Sequence, residues 1–270
     1  MTPFYLAIVD YLEYLQKSNL GSFSDGYQSY FPLNLEFDTT STVENAIVEV
    51  SERNYIELLP FLAELRYLKC NAIELKVISD MSISSLHEIM EYCSEKGFEL
   101  INVIDTQNFL DITIEILSQL KRYNCLSKIV VFSFKSKSSF GFSDDMLILN
   151  SKDYNEDIRK TFSKFAVNIR SFSEGLNYNL GLNKKIYLTH NFYISNYLGH
   201  DVKLLVSAKE ILPSLDKINS SWSVSKDSVK ICKDCQYRYV CNDVDELIEE
   251  DGLFVKKTLC NYDPYTNVWT

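Results

Sequence analysis

Glycine and proline are scarce in this 270-residue chain, with eight and five respectively, and they are scattered. No low-complexity tract, collagenous period or long flexible linker is present. An excess of positive charge is also missing: the formal net charge is −10 at pH 7, which argues against a nucleic-acid phosphate partner, since such partners demand a basic face. No run reaches the roughly 18 uninterrupted apolar residues of a membrane span. The first fifteen residues are apolar in patches, but Asp10 and Glu13 interrupt them, and neither a basic start nor a small-residue cleavage site follows. The expected compartment is therefore the cytoplasm, with reduced thiols. Local catalytic signatures are absent too: no phosphate-cradling glycine loop, HExxH helix or nucleophile–His–carboxylate set is visible. What is abundant is apolar surface, because 46% hydrophobic residues over this length can bury a large core.

The one strong chemical signal is a group of four cysteines near the end. Cys232, Cys235, Cys241 and Cys260 are spaced C-x2-C-x5-C-x18-C, and four grouped thiolates are what a tetrahedral zinc or an iron–sulfur cluster requires. Two disulfides are the competing reading, which suits a small secreted protein better than a chain of this size. Tyr237, Arg238 and Tyr239 are expected to pack over the site, and Tyr262, Tyr265 and Trp269 to anchor the tail by burial. The other cysteines, Cys70, Cys93 and Cys125, lie tens of residues apart on apolar faces and read as small buried hydrophobes. His87 is expected to face solvent. His190 and His200 could each serve as a ligand, but a complete four-cysteine set needs neither. The acidic run Asp243, Asp245, Glu246, Glu249 and Glu250 reads as a solvated helix face.

Between the ends the chain alternates. Strands are expected at Ala46–Val50, Ile73–Ile78, Leu100–Ile104 and Ile129–Phe132. Helices between them carry Leu58, Leu62 and Leu65; then Leu86, Ile89, Met90 and Cys93, opened by Ser82–Ser85 and closed by Gly97; then Ile112, Ile116, Leu117 and Leu120. Apolar, β-branched strands separated by helices mark an α/β fold with a parallel sheet, open or part of a barrel. Tyr11–Ser18 reads as the end of an amphipathic helix and Gly21–Gly26 as a turn or short wing. Lys135–Asp157 reads as a polar, mobile excursion, Phe165–Asn168 as a short strand, and Lys185–Leu188 as the start of a hairpin running to Tyr197. Three regions follow: residues 1–33, a helix and wing; 34–184, a partial β/α barrel; and 185–270, a metal-binding domain.

The cysteine array resembles the second auxiliary-cluster half of SPASM domains, the C-terminal extensions of radical SAM peptide-modifying enzymes. Cys232–Arg238, the ending Cys260–Trp269, Phe165–Lys184 and Phe31–Glu36 are similar to one subgroup, the SPASM-domain maturases of grasp-with-spasm peptide systems. There an ATP-grasp ligase links side chains of a ribosomally made precursor peptide. The resemblance implies a degenerate radical SAM-type barrel with a SPASM-like domain, and a [4Fe-4S] cluster on the four cysteines, with zinc as the alternative. It also implies two departures. The C-x3-C-x2-C motif that holds the AdoMet-binding cluster is missing after the first strand, where the chain reads Ser51, Glu52, Arg53, Asn54, Tyr55. The hairpin offers Asn196, Tyr197 and His200 rather than cysteine, and Asn242–Glu246 supply none, so one centre is expected and not two. Tyr5–Ser24 resembles only the last helix and wing of a peptide-clasp module. The expected function is thus that of a pseudo-enzyme accessory that binds the precursor peptide or its ATP-grasp ligase without AdoMet cleavage. A redox peptide-modifying enzyme using one Fe–S centre, or a zinc-stabilised interaction scaffold, are the alternatives.

Overall fold

The computed structural model describes residues 3–20, 34–134, 145–154, 165–196, 206–207, 210–258 and 260–269. The chain divides into two compact units, Met1–Asn34 and Leu35–Thr270. In the first, helix α1 spans Pro3–Lys17 and exposes Tyr11 and Tyr14, with a Lys17–Glu13 ion pair one turn apart. The expected wing at Gly21–Gly26 lies outside the described residues.

The second unit is built on an eight-stranded sheet. Strands β1 (Asn45–Val50), β2 (Ala72–Val77), β3 (Leu100–Asp105) and β4 (Leu126–Val131) alternate with helices α2 (Tyr55–Tyr67), α3 (Ile83–Lys96) and α4 (Ile114–Leu120). Local chemistry sets the helix ends where the sequence places them. The Ser82 hydroxyl accepts the Ser85 N–H to open α3, and Gly97 takes the left-handed φ of 77° that closes it. Thr113 caps α4 in the same way, accepting from Ile116 N–H.

Each strand is laid parallel to the last and on the same side of it, continuing to β5 (Leu147–Leu149). Right-handed crossovers that always step in one direction put every connecting helix on one face of the sheet. The core agrees: Val48, Val50, Leu75, Val77, Ile101 and Val103, alternate positions along their strands, share one cluster with Leu58, Leu62, Leu65, Leu86, Ile89 and Leu117 of the helices. Cys70, Cys93 and Cys125 belong to that cluster, as small buried hydrophobes, and burial pushes the Cys70 thiol up to about 12. Their expected role is the one observed.

On the other side of β1 lies β6 (Lys185–Leu188), also parallel, followed by the antiparallel β7 (Tyr193–Ser195) and β8 (Val206–Ser207). The architecture is therefore mixed α/β with a mostly parallel sheet, and residues 185–188 belong to the same sheet as the earlier repeat. Two local expectations need correction. Leu147–Leu149, inside the expected excursion, is a strand paired with β4, while residues 135–144 and 155–157 of that excursion lie outside the described residues. Phe165–Asn168 is not a strand: Phe165 makes one isolated bridge to Cys241, and Asn168 caps helix α5 (Ile169–Asn177) by accepting from Ser171 N–H. A further short helix, α6 (Leu212–Ile218), buries Ile211 and Leu215 in the main core. No helix among the described residues is long and apolar enough to cross a membrane.

Helix α5 meets the cysteine segment through glycine. A Cβ added at Gly175 would overlap the backbone carbonyl of Tyr239, and one at Gly181 that of Asp243. Backbone cannot step aside as a flexible side chain can. Gly175→Ala is expected to cost about 3 kcal/mol, the scale of overpacking a well-packed interior. Urea denaturation of the purified variant measures it, and an unchanged midpoint would show that this approach is not tight.

Candidate metal centre and the charged face of the sheet

The cysteine segment is held by turns rather than by long elements. Ile231, at φ 70° and ψ −48°, bends the chain into a 3-10 turn over Cys232–Asp234, and Cys235 N–H donates back to the Cys232 carbonyl at 2.9 Å. A second 3-10 turn, Arg238–Val240, delivers Cys241, whose neighbour Val240 accepts from Ala166 N–H at 2.8 Å. The hairpin β9 (Leu247–Glu250) and β10 (Leu253–Lys256) is followed by Cys260 and the short pair β11 (Tyr262–Asp263) and β12 (Val268–Trp269). Cys232, Cys235 and Cys241 are half-buried, and Cys260 is exposed.

Donors and cations face the sulfurs, although burial on balance favours the neutral thiols of Cys232 and Cys241. Tyr237 N–H points at Cys235 Sγ at 3.4 Å, and Arg238 Nη1 donates to the Cys235 carbonyl at 3.1 Å. Burial pushes the Cys232 and Cys241 thiols up, and the charges of Lys226 and Lys256 oppose that shift at both. Lys226 is only 2% exposed and donates to the Asp243 carbonyl, while Lys256 pairs with the Asp243 carboxylate. Yet among the described residues no three His, Cys, Asp or Glu side chains converge as a group that could hold a metal ion. Cys232 and Cys241 share the two cations that oppose the effect of burial.

The aromatic expectations are partly observed. Tyr237 lies 4.7 Å from the Phe165 ring and 5.2 Å from that of Tyr262, and Tyr239 packs edge-on to Phe172. Tyr262 is buried and its hydroxyl donates to Asn267, but Tyr265 and Trp269 stay exposed, so only Tyr262 anchors by burial. The acidic run is not a helix. Leu247–Glu250 is a strand with Glu249 and Glu250 exposed, and Asp245 and Glu246 bind Thr258 and Lys257 across the hairpin. Nor does His87 face solvent: it is half-buried, with Nδ1 3.1 Å from the Tyr123 hydroxyl. His200 lies outside the described residues.

His190 has a partner that sequence reasoning missed. Its Nδ1 lies 2.9 Å from Glu49 Oε2, and an ionised carboxylate can only accept, so Nδ1 carries the proton. Glu49, on β1, also accepts from His190 N–H, from the Tyr187 hydroxyl and from Lys76 Nζ at 3.2 Å. Lys76 Nζ donates in turn to Tyr187 Oη at 3.0 Å. These groups occupy the face of the sheet opposite α2, α3 and α4. The signal was present in the sequence: Glu49, Glu74, Lys76 and Asn102 recur at alternate positions within otherwise apolar strands.

After β1 the chain makes a tight turn. Asn54 Oδ1 accepts from Ser51 N–H at 2.8 Å and from the Ser51 hydroxyl, while its Nδ2 donates to the Glu49 and His190 carbonyls. Compared with protein-family models, curated proteins and solved structures, the chain matches none.

Burial by itself would raise the Glu49 carboxyl. Hydrogen bonds from His190 and Tyr187 and the Lys76 charge outweigh it and hold the group at about 2. A carboxylate depressed from its ordinary 4.5 adds stability above that pH and loses it as pH falls towards about 2. Glu49→Gln, which leaves Lys76 buried without its counter-charge, should cost about 3 kcal/mol at neutral pH. In urea melts across pH, that deficit should shrink as the wild type is acidified through this window. A deficit constant across pH would mean that Glu49 is not held ionised.

Proposed function

We propose that this protein is an accessory of ribosomal peptide maturation that binds a precursor peptide, or the ATP-grasp ligase acting on it, and does not cleave AdoMet. The observation that carries the reading is the turn after β1. A one-directional parallel sheet is compatible with a degenerate radical SAM-type barrel; on that reading the turn after β1 would hold the radical-initiating cluster, and here it is locked by Asn54 and contains no thiol. The resemblance of the four-cysteine segment to SPASM domains supplies the peptide context. Strand β5 has one partner among the described residues, and such a strand can accept an extended peptide by strand addition.

Cys232, Cys235, Cys241 and Cys260 are the residues that would hold a centre, a [4Fe-4S] cluster in preference to zinc. When bound, it would tie the C-terminal segment into a closed loop and so stabilise it. The chain's own contribution is Lys226 and Lys256, which favour thiolates, and the Tyr237 N–H directed at sulfur.

Calorimetry with a precursor peptide and an ATP-grasp ligase of the grasp-with-spasm kind is expected to show binding to at least one of them. Binding to neither removes the accessory reading. Anaerobic incubation with AdoMet and dithionite should give 5′-deoxyadenosine at background level, and formation above background would show a working radical enzyme instead. Element-resolved analysis of protein purified without oxygen should find one centre per chain, lost in Cys241→Ser. Metal-free wild-type protein would refute the centre.

A further inference from the structure

Strand register lays out the sheet face opposite α2–α4 in rows. Lys185, Asn45, Ala72 and Leu100 form the first, Tyr187, Ile47, Glu74, Asn102 and the exposed Lys128 the second, and Glu49, Lys76, Ile104 and Val130 the third. A face that had only to be buried would be apolar in every row. Here the second row sets a carboxyl beside an amide on strands about 4.8 Å apart. Against the first two rows lies a cavity of about 210 Å³, whose lining includes Ile47, Ala72, Glu74, Asn102, Tyr187 and Val244. Pockets for drug-sized ligands start at about 300 Å³, so this one suits a group the size of a side chain.

Two groups in that row, Glu74 and Asn102, are acceptors left without donors. Asn102 Oδ1 is buried and has no hydrogen-bond partner among the described residues. Glu74 makes no hydrogen bond to a described residue, and its nearest cation, Lys76, is already committed to Glu49 and Tyr187. Lys185, also in the lining, donates to the Leu180 carbonyl at 2.7 Å and faces Glu174 and Glu44. Tyr154, near Glu74 and Glu49, has a buried hydroxyl with no partner among the described residues. Burial pushes the Glu74 carboxyl up to about 7, with Lys76 opposing.

A buried acceptor left unpaired costs free energy that a donor-bearing occupant recovers. An anion would meet two further acceptors. A hydroxyl brings a single donor. An ammonium brings three donors and the charge that Glu74 lacks, on a stem that apolar walls can hold. We propose that this cavity binds a primary alkylammonium group, either a lysine side chain or a free alkylamine, with Glu74 and Asn102 accepting its N–H donors and Ile47, Ala72 and Tyr187 packing on its methylenes. The proposal stands apart from the peptide-maturation reading and would survive its failure.

Titration calorimetry of the full chain at pH 7 with n-butylamine, against 1-butanol as the uncharged isostere, is the direct test. Butylamine should bind at least ten-fold more tightly. It should also release a proton as Glu74 ionises, seen as an enthalpy that varies with the buffer's heat of ionisation. Glu74→Gln should lose both the preference and the proton release. Should that variant not fold, Asn102→Leu, which keeps the carboxyl and fills the cavity, should weaken butylamine binding at least ten-fold without lowering the melting temperature. Binding of Nα-acetyl-lysine amide as well as butylamine points to a side-chain source, and binding of butylamine alone to a free amine. No butylamine binding, equal binding of butanol, or binding unaltered in the folded variant overturns the proposal.

Discussion

Glu49 carries a charge inside the sheet, and the residues around it are arranged as that charge requires. A carboxylate taken from water must be met by donors and a counter-charge or it protonates. Here Lys76 on the next strand, Tyr187 on the strand to the other side, and the backbone and ring of His190 all converge on its two oxygens. The network ties β1 to β2 and β6 by side chains as well as by the backbone ladder. It also fixes the residues beyond β6, since Asn54, which closes the turn after β1, reaches both Glu49 and His190.

This arrangement follows from the direction of winding. Because β1 to β5 advance one way, α2, α3 and α4 lie together, and the main hydrophobic core fills the space between them and one face of the sheet. The opposite face is free to carry Glu49, Glu74, Lys76 and Asn102, which would be costly in a sheet covered by helices on both sides. The C-terminal segment comes against the same unit through two glycines, Gly175 and Gly181, where only a missing side chain allows backbone to approach backbone. The cysteines therefore sit on a surface whose placement is set by packing, with Lys226 and Lys256 supplying the charge that thiolates need.

Much of the repeat was legible because its signals are local and periodic. Leu58, Leu62 and Leu65 recur at helical spacing, Ser82 and Gly97 bracket α3, and runs such as Ile129–Val131 are β-branched. Helix α5 was not legible, since it is short and its reason for being lies in a remote partner, Tyr239 against Phe172. The acidic run misled because its glutamates were weighed without the turn that follows them. Asp251 and Gly252, both at positive φ, form the Asp-Gly hairpin turn that reverses the chain into β10. The four-cysteine spacing identified a set of donors from sequence. Their assembly around a centre is a tertiary property that spacing cannot fix.

The charged face of the sheet is the part of the account on which most depends, and it assigns opposite behaviour to two glutamates one strand apart. Carbon-13 NMR titration of the side-chain carboxyls, assigned by Glu49→Gln and Glu74→Gln, measures both directly. The result expected is Glu49 titrating near 2 and Glu74 near 7. Two glutamates titrating together at the ordinary carboxylate value of 4.5 would contradict it.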